Sequence, residues 1–96
     1  MIEDVFTALK EMKEVSTASA FSREFLGRES NYWRSLRHRS RNPSADAIVK
    51  CASVLKERGE LLSDSQFVEM ARRREKLLRL ADDCIEALFA SCGVTS

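Results

Sequence analysis

Apolar residues recur every three or four positions along most of the chain, which is the spacing of one face of an α-helix. Polar breaks divide this pattern into five stretches, and the chain holds only one proline and three glycines. The pattern therefore predicts an all-α fold of five helices, over residues 2–14, 19–26, about 30–39, a fourth between Ser44 and Gly59, and a fifth from 63 to about 91.

Each of the first four helices has a set of apolar residues predicted to face the core. These are Ile2, Val5, Phe6, Leu9 and Met12 in the first, Phe21, Phe25 and Leu26 in the second, Trp33 and Leu36 in the third, and Ala47, Ile48, Cys51, Ala52, Val54 and Leu55 in the fourth. The third helix has the fewest inward positions, so most of its surface is predicted to face solvent.

Residues that favour helix ends lie in the breaks between these stretches. Gly27 follows the second helix, where a glycine commonly adopts a left-handed conformation. Residues 29–31 offer a cap for the third helix, with Ser30 as a candidate, and Ser44 can cap the fourth. Ser63 with Gln66 forms a capping-box pattern at the start of the fifth.

The fifth helix is predicted to be the longest, and its apolar stripe extends beyond a four-helix core. We divide the single domain into residues 1–62, a core of four helices, and 63–96, a C-terminal helix. A domain this short buries only about two-thirds of its unfolded surface, so a partner would stabilise it. We expect a homodimer whose interface is formed by Leu77, Leu80, Ala81, Cys84, Ile85 and Leu88. Alternatively, these residues pack on the chain's own core.

The excess positive charge lies in one window of the chain. The whole sequence has a net charge of +1, whereas residues 21–42 contain six arginines and two glutamates, a net charge of +4. Arginine suits bidentate contact with phosphate or guanine better than lysine does. The window spans the second and third helices, so it indicates contact with nucleic acid, the alternative being an ordinary solvated face.

The stretch from Phe21 to Leu55 resembles the DNA-binding core of the Cro/C1-type repressors. The matching residues are Gly27, Trp33 with Leu36, the turn Asn42-Pro43-Ser44, and Ile48, Cys51, Ala52 and Leu55. The spacing from Gly27 to Pro43 matches that of the family without a gap. The resemblance covers about a third of the chain. It implies a five-helix, Cro/C1 repressor-like helix-turn-helix domain with a long C-terminal helix, in which residues 1–62 form the DNA-binding core. It also implies a bacterial or phage-like protein.

Two positions depart from the pattern of that family. Arg39-Ser40 stand where a glycine usually follows the third helix, so this helix is expected to run longer or to end without a left-handed residue. The family's Leu-Ala pair falls on Ser22-Arg23, so Phe21 and Phe25 are expected to provide the packing of the second helix.

The resemblance assigns base contacts to the start of the third helix, where helix-turn-helix proteins read the major groove. The candidates for base contact are Ser30, Asn31, Arg34 and Ser35. Cations at the far end of this helix and beside the turn suit phosphates, which position the protein. The candidates for phosphate contact are Arg23, Arg28, Arg37, His38, Arg39 and Arg41. Tyr32 either contacts phosphate or stays buried, and Arg72–Arg74 form a second phosphate contact or a solvated face.

The sequence offers little support for catalysis, a metal site or a membrane span. It has no glycine-rich phosphate loop, no recurring Cys/His pair, and no apolar run of about 20 residues. Its three cysteines, Cys51, Cys84 and Cys92, form no C-x-x-C spacing, which predicts reduced thiols, although Cys92 offers a cross-link between chains under oxidation. We therefore expect a cytoplasmic, nucleoid-associated protein that needs no cofactor and catalyses no reaction.

Two functions remain open at this stage. The first is a sequence-specific regulator that binds double-stranded DNA as a homodimer. The second is a protein-interaction module, an anti-activator or adaptor, which keeps the fold but does not bind DNA specifically. An exposed patch containing Trp33, Phe67 or Phe89 would favour the second.

Overall fold

The computed structural model describes residues 2–62 and 68–91, and all regular structure in these ranges is helical. The elements are α1 (Ile2–Glu11), α2 (Ala18–Ala20) running directly into a π-helical segment, π1 (Phe21–Phe25), then α3 (Tyr32–His38), α4 (Ala45–Glu60) and α5 (Val68–Ser91). The expected all-α fold of five helices is confirmed, with α2 and π1 forming the second. In the described ranges, no helix is both long and apolar enough to cross a membrane.

Helix α1 buries the predicted apolar face but ends earlier than the periodicity indicates. Four of the predicted side chains are at most 6% exposed: Ile2, Val5, Phe6 and Leu9. The helix stops at Glu11 because Lys13 adopts a left-handed φ of 63°. The Glu14 amide then donates to the Leu9 carbonyl at 2.9 Å, which closes the last turn.

The second helix contains a widened turn. Thr17 caps α2, and its Oγ1 accepts from the Ala20 amide at 3.1 Å. In π1 the Leu26 amide donates to the Phe21 carbonyl, five residues back, at 3.1 Å. Phe21 and Phe25 are both completely buried, so the prediction that they pack this helix is confirmed.

Helix α3 ends in a Schellman motif at His38. The Arg41 amide donates to the Leu36 carbonyl at 2.9 Å, and the Ser40 amide donates to the Arg37 carbonyl at 3.2 Å. Ser40 occupies the left-handed position with a φ of 53°. The expectation that α3 runs longer or lacks a left-handed residue is therefore wrong, because Ser40 adopts the conformation usual for the missing glycine.

Helix α4 starts as predicted but continues past the predicted end. Ser44 caps it, and its Oγ accepts from the Ala47 amide at 3.3 Å. Gly59 does not stop the helix, which continues to Glu60. A Cβ at residue 59 would lie only 2.9 Å from Leu78 Cδ2, so the glycine permits a close approach of α5.

Helix α5 packs mainly on α4. Its fully or nearly buried side chains follow one face: Leu77, Ala81, Cys84 and Ala87. The predicted capping box at Ser63 and Gln66, the aromatic residue Phe67, and Cys92 lie outside the described residues.

Candidate nucleic-acid interface

The residues expected to contact bases are accessible. Ser30, Asn31 and Arg34 are exposed, and Ser35 is half-buried. Ser30 and Asn31 precede α3, whereas Arg34 and Ser35 lie within it. The structure therefore leaves three of these side chains accessible to a partner at the start of α3, and Ser35 accessible in part.

The residues expected to contact phosphates are all exposed. They are Arg23 in π1, Arg28 after the Gly27 turn, Arg37 and His38 in α3, and Arg39 and Arg41 after it. Two of them already have partners within the chain. Arg28 donates to Ser44 Oγ at 3.2 Å, and Arg37 is paired with Glu3 at 3.2 Å. Both partners are themselves exposed, so these contacts compete with water and exchange readily.

An aromatic cluster supports α3 from beneath. The Trp33 indole is 3% exposed, and its ring contacts Phe21 at 5.3 Å and Phe6 at 5.9 Å between centroids, both edge-on. Leu36 is half-buried against the same core. The prediction that Trp33 and Leu36 anchor this helix is confirmed, and their packing turns the cationic residues of α3 outward.

A serine in the second helix fixes the start of α3. Ser22 Oγ accepts from the Trp33 amide at 2.9 Å and donates to the Ala18 carbonyl at 2.9 Å. Asn31, at the N-cap position, makes no side-chain cap hydrogen bond. The N-cap position therefore lies within residues 29–31 as predicted, but the expected side-chain cap is wrong, since the first turn of α3 is bound by a residue 11 positions earlier.

The widened turn of π1 explains the burial of Ser22. Ser22 is completely buried while Arg23 is exposed. The buried pair is thus Phe21-Ser22, one position earlier than the Ser22-Arg23 pair that the repressor pattern indicates. A serine at the end of an apolar run carries no local signal for this role, so the sequence did not reveal it.

Tyr32 is bound within the chain. Its hydroxyl accepts from the Ser44 amide at 3.0 Å, and its half-buried ring lies 5.7 Å from the Arg28 guanidinium. Of the two roles open for Tyr32, the structure shows the internal one. The contact connects α3 to the start of α4.

The three consecutive arginines of α5, Arg72–Arg74, lie in different environments. Arg73 donates to the Met12 carbonyl through both terminal nitrogens, each at 2.8 Å, while Arg72 is exposed and Arg74 half-buried. Arg73 therefore holds α5 against the end of α1. Of the three arginines predicted as a second phosphate contact, Arg72–Arg74, the middle one is therefore used within the chain.

The residues expected at a dimer interface are divided between core and surface. Leu77, Ala81 and Cys84 are at most 7% exposed and serve the chain's own core. Leu80 and Leu88 are half-buried, and Ile85 is 37% exposed. The apolar surface left on this helix includes Phe89, one turn after Ile85, at 58% exposure.

Two cysteines that are distant in sequence meet in the core. Cys84 Sγ lies 3.7 Å from Cys51 Sγ, and both thiols are free and completely buried. The hydrogen bond with Cys84, together with burial, raises the pKa of Cys51. No cluster of three or more His, Cys, Asp or Glu that could hold a metal occurs within residues 2–62 and 68–91.

A family model described as a family of unknown function (DUF6626) matches residues 2–94. The match spans almost the whole chain, so the chain belongs to this family. No curated protein and no solved structure matches it.

Proposed function

We propose that this member of the DUF6626 family is a regulator that binds specific sites in double-stranded DNA as a homodimer. The observation that carries the proposal is the surface of α3 and its following turn. Five basic residues of this stretch are exposed: Arg34, Arg37, His38, Arg39 and Arg41. Such a surface attracts the phosphate backbone of DNA.

The order of elements before α3 supports a helix-turn-helix. The α2–π1 helix ends at Phe25, and Gly27 with a φ of 64° turns the chain toward α3. Ser22 and Trp33 then join the two helices through a buried hydrogen bond. An α-helix with its side chains is about 10–12 Å across, which fits a major groove about 12 Å wide.

The proposal gives the two ends of this surface different tasks. Asn31 and Arg34, at the start of α3, pair with adenine and guanine edges and select the sequence. Arg39 and Arg41, beyond its end, contact phosphates and set affinity and register. A second subunit supplies a second reading helix, which increases affinity and lengthens the site. In this proposal the protein binds the chromosome in the cytoplasm, needs no cofactor and catalyses no reaction.

The test first selects the genomic fragments that the protein retains. Fluorescence anisotropy titrations of a labelled duplex with the selected sequence then measure the binding affinity. Asn31→Ala and Arg34→Ala should each cost about 1–3 kcal/mol of binding and relax base preference. Arg39→Ala and Arg41→Ala should weaken binding to every sequence and reduce the salt slope by about 1. Arg79→Ala, an exposed arginine on α5, is the matched control and should bind as the parent does.

The proposal fails if all four variants bind DNA as tightly as Arg79→Ala does. It also fails if the parent chain shows no site preference and no salt dependence. In either case α3 is not a DNA-reading helix.

The exposed apolar residues of α5 favour a second candidate function. Phe89 and Ile85 form an accessible pair one turn apart, whereas Trp33 is buried and Phe67 lies outside the described residues. A protein-interaction module would use this pair and leave α3 unused. Its binding to DNA would show neither a steep salt slope nor a preferred site.

A further inference from the structure

A cavity of about 670 Å³ lies between the start of α1, helix α3 and the turn before α4. Its basic lining comes from Arg34, Arg37, His38 and Arg41. Its apolar lining includes Ile2, Trp33 and Pro43. The volume falls within the range of about 300–1,000 Å³ in which proteins bind small molecules.

The charges that line this cavity are unbalanced. Glu3 is the one acidic residue of the described lining, and its carboxylate is paired with Arg37 at 3.2 Å. Arg34 and Arg41 form no ion pair or hydrogen bond with any described residue through their side chains. The guanidinium groups of Arg34 and Arg41 therefore line the cavity with N–H donors that have no acceptor among the described residues. Together they carry a charge of +2 that no carboxylate of the lining balances.

Trp33, one of the lining residues, has an unpaired buried donor. Its indole is 3% exposed, and its Nε1 is the one buried side-chain nitrogen or oxygen in the described residues without a hydrogen-bond partner. Buried donors in proteins are almost always paired, because an unpaired one costs about 1–3 kcal/mol. Because Trp33 lines the cavity, an acceptor bound there is a candidate partner for this nitrogen.

We propose that this cavity binds a phosphate group. A phosphate presents several acceptor oxygens and a double negative charge, which two or three converging guanidinium groups bind well. The lining offers donors in excess and a single, already paired carboxylate. Trp33 and Pro43 offer apolar contact to whatever carries the phosphate.

Two sources can supply this phosphate, a free phosphorylated compound or the backbone of DNA. Arg37 and Arg41 belong both to the cavity and to the surface that the proposed function assigns to DNA. A free phosphate compound in the cavity would therefore compete with DNA for the same cations. The competition rests on the proposed function, whereas phosphate binding itself does not.

The single tryptophan of the chain reports directly on the cavity. The full chain is titrated with sodium pyrophosphate and, separately, with inorganic phosphate. Sodium chloride keeps the ionic strength constant, and Trp33 emission and calorimetric heat are both recorded. We expect a saturable response to pyrophosphate. Arg34→Ala and Arg41→Ala should each raise the half-saturating concentration at least tenfold.

Arg79→Ala is the matched control and should stay within twofold of the parent, with circular dichroism confirming that every variant is folded. The proposal is overturned if neither emission nor heat saturates with any phosphate probe, duplex DNA included. It is equally overturned if Arg79→Ala weakens the response as much as Arg34→Ala and Arg41→Ala do.

A labelled 20-base-pair duplex separates the two sources and the two proposals. Saturation by pyrophosphate, with or without DNA binding, supports a free compound as the source. If Trp33 emission responds to the duplex but not to pyrophosphate, and Arg41→Ala abolishes this response, the DNA backbone is the source of the phosphate. If pyrophosphate saturates the cavity but no duplex binds, the phosphate site stands and the DNA-binding proposal falls.

Discussion

At the scale of single residues, two serines decide the geometry of α3. Ser22 binds the first turn from a neighbouring helix, and Ser40 closes the last turn in a left-handed conformation. Neither residue is apolar or charged, so neither contributes to the helical pattern. Both nevertheless set where the cationic helix starts and stops.

Replacing Ser22 with alanine should destabilise the fold. Ser22→Ala leaves the Trp33 amide without its buried acceptor, and we expect a loss of about 1–3 kcal/mol in the free energy of unfolding. Urea denaturation followed by Trp33 emission measures this loss. Ser53→Ala on the exposed side of α4 is the control and should change stability by no more than about 0.5 kcal/mol. Equal effects from the two variants would show that Ser22 does not hold α3.

Replacing Ser40 with glycine should stabilise the fold. A left-handed conformation costs a residue with a side chain about 1–2 kcal/mol, and a glycine's loss of backbone freedom offsets about half of that gain. We expect Ser40→Gly to raise the free energy of unfolding by about 0.5–1 kcal/mol, measured in the same denaturation. Ser35→Gly, inside α3, should act in the opposite direction. A destabilised Ser40→Gly protein would contradict the left-handed assignment.

At the scale of elements, the contact between α4 and α5 depends on a glycine and two cysteines. Gly59 lets Leu78 approach the backbone of α4, and the free thiols of Cys51 and Cys84 meet further along the same contact. The hydrophobic pattern indicates which face of each helix is buried. It does not indicate how close the two helices lie.

The close approach at Gly59 can be tested with a double-mutant cycle. Alanine has a higher helix propensity than glycine by about 1 kcal/mol, but a Cβ at residue 59 would lie 2.9 Å from Leu78 Cδ2. We expect Gly59→Ala alone to raise the free energy of unfolding by less than this amount, or to lower it. In a Leu78→Ala background the same change should gain about 1 kcal/mol. If the effects of Gly59→Ala and Leu78→Ala on the free energy of unfolding, measured by thermal denaturation, are additive, the close approach of Leu78 to residue 59 is refuted.

At the scale of the whole molecule, one chain completes most of its own core. The face of α5 expected to bind a second subunit supplies Leu77, Ala81 and Cys84 to the contact with α4. Any dimer through this helix must therefore use its remaining apolar surface, which includes Ile85 and Phe89. A smaller apolar surface predicts a weaker and more readily reversible dimer.

The dimer is tested by sedimentation equilibrium over a range of concentrations. We expect the parent chain to reach twice the mass of one chain and Phe89→Glu to remain monomeric at the same concentrations. The reason is that a buried, unpaired carboxylate disfavours an apolar interface. Val49→Glu, at a 46% exposed position on α4, is the control and should still dimerise. A monomeric parent chain would remove α5 as a dimer interface.

The sequence by itself determined the helices, their order and their buried faces. Phe21, Phe25, Trp33 and Leu36 pack as the periodicity predicts, and Ser44 caps α4 as its position after the proline predicts. These features depend on residues within one or two helical turns of each other. Their physical causes, apolar burial and local capping, act over the same short range as the pattern that reveals them.

Only the tertiary structure decided the features that join distant parts of the chain. These are the hydrogen bond between Ser22 and Trp33, the thiol pair of Cys51 and Cys84, and the cavity between α1 and α3. Ser40 and Gly59 belong with them, since the hydrophobic pattern indicates neither the left-handed serine after α3 nor the close contact between α4 and α5. Such features arise where helices meet, and no local periodicity records which residues of two helices will face each other.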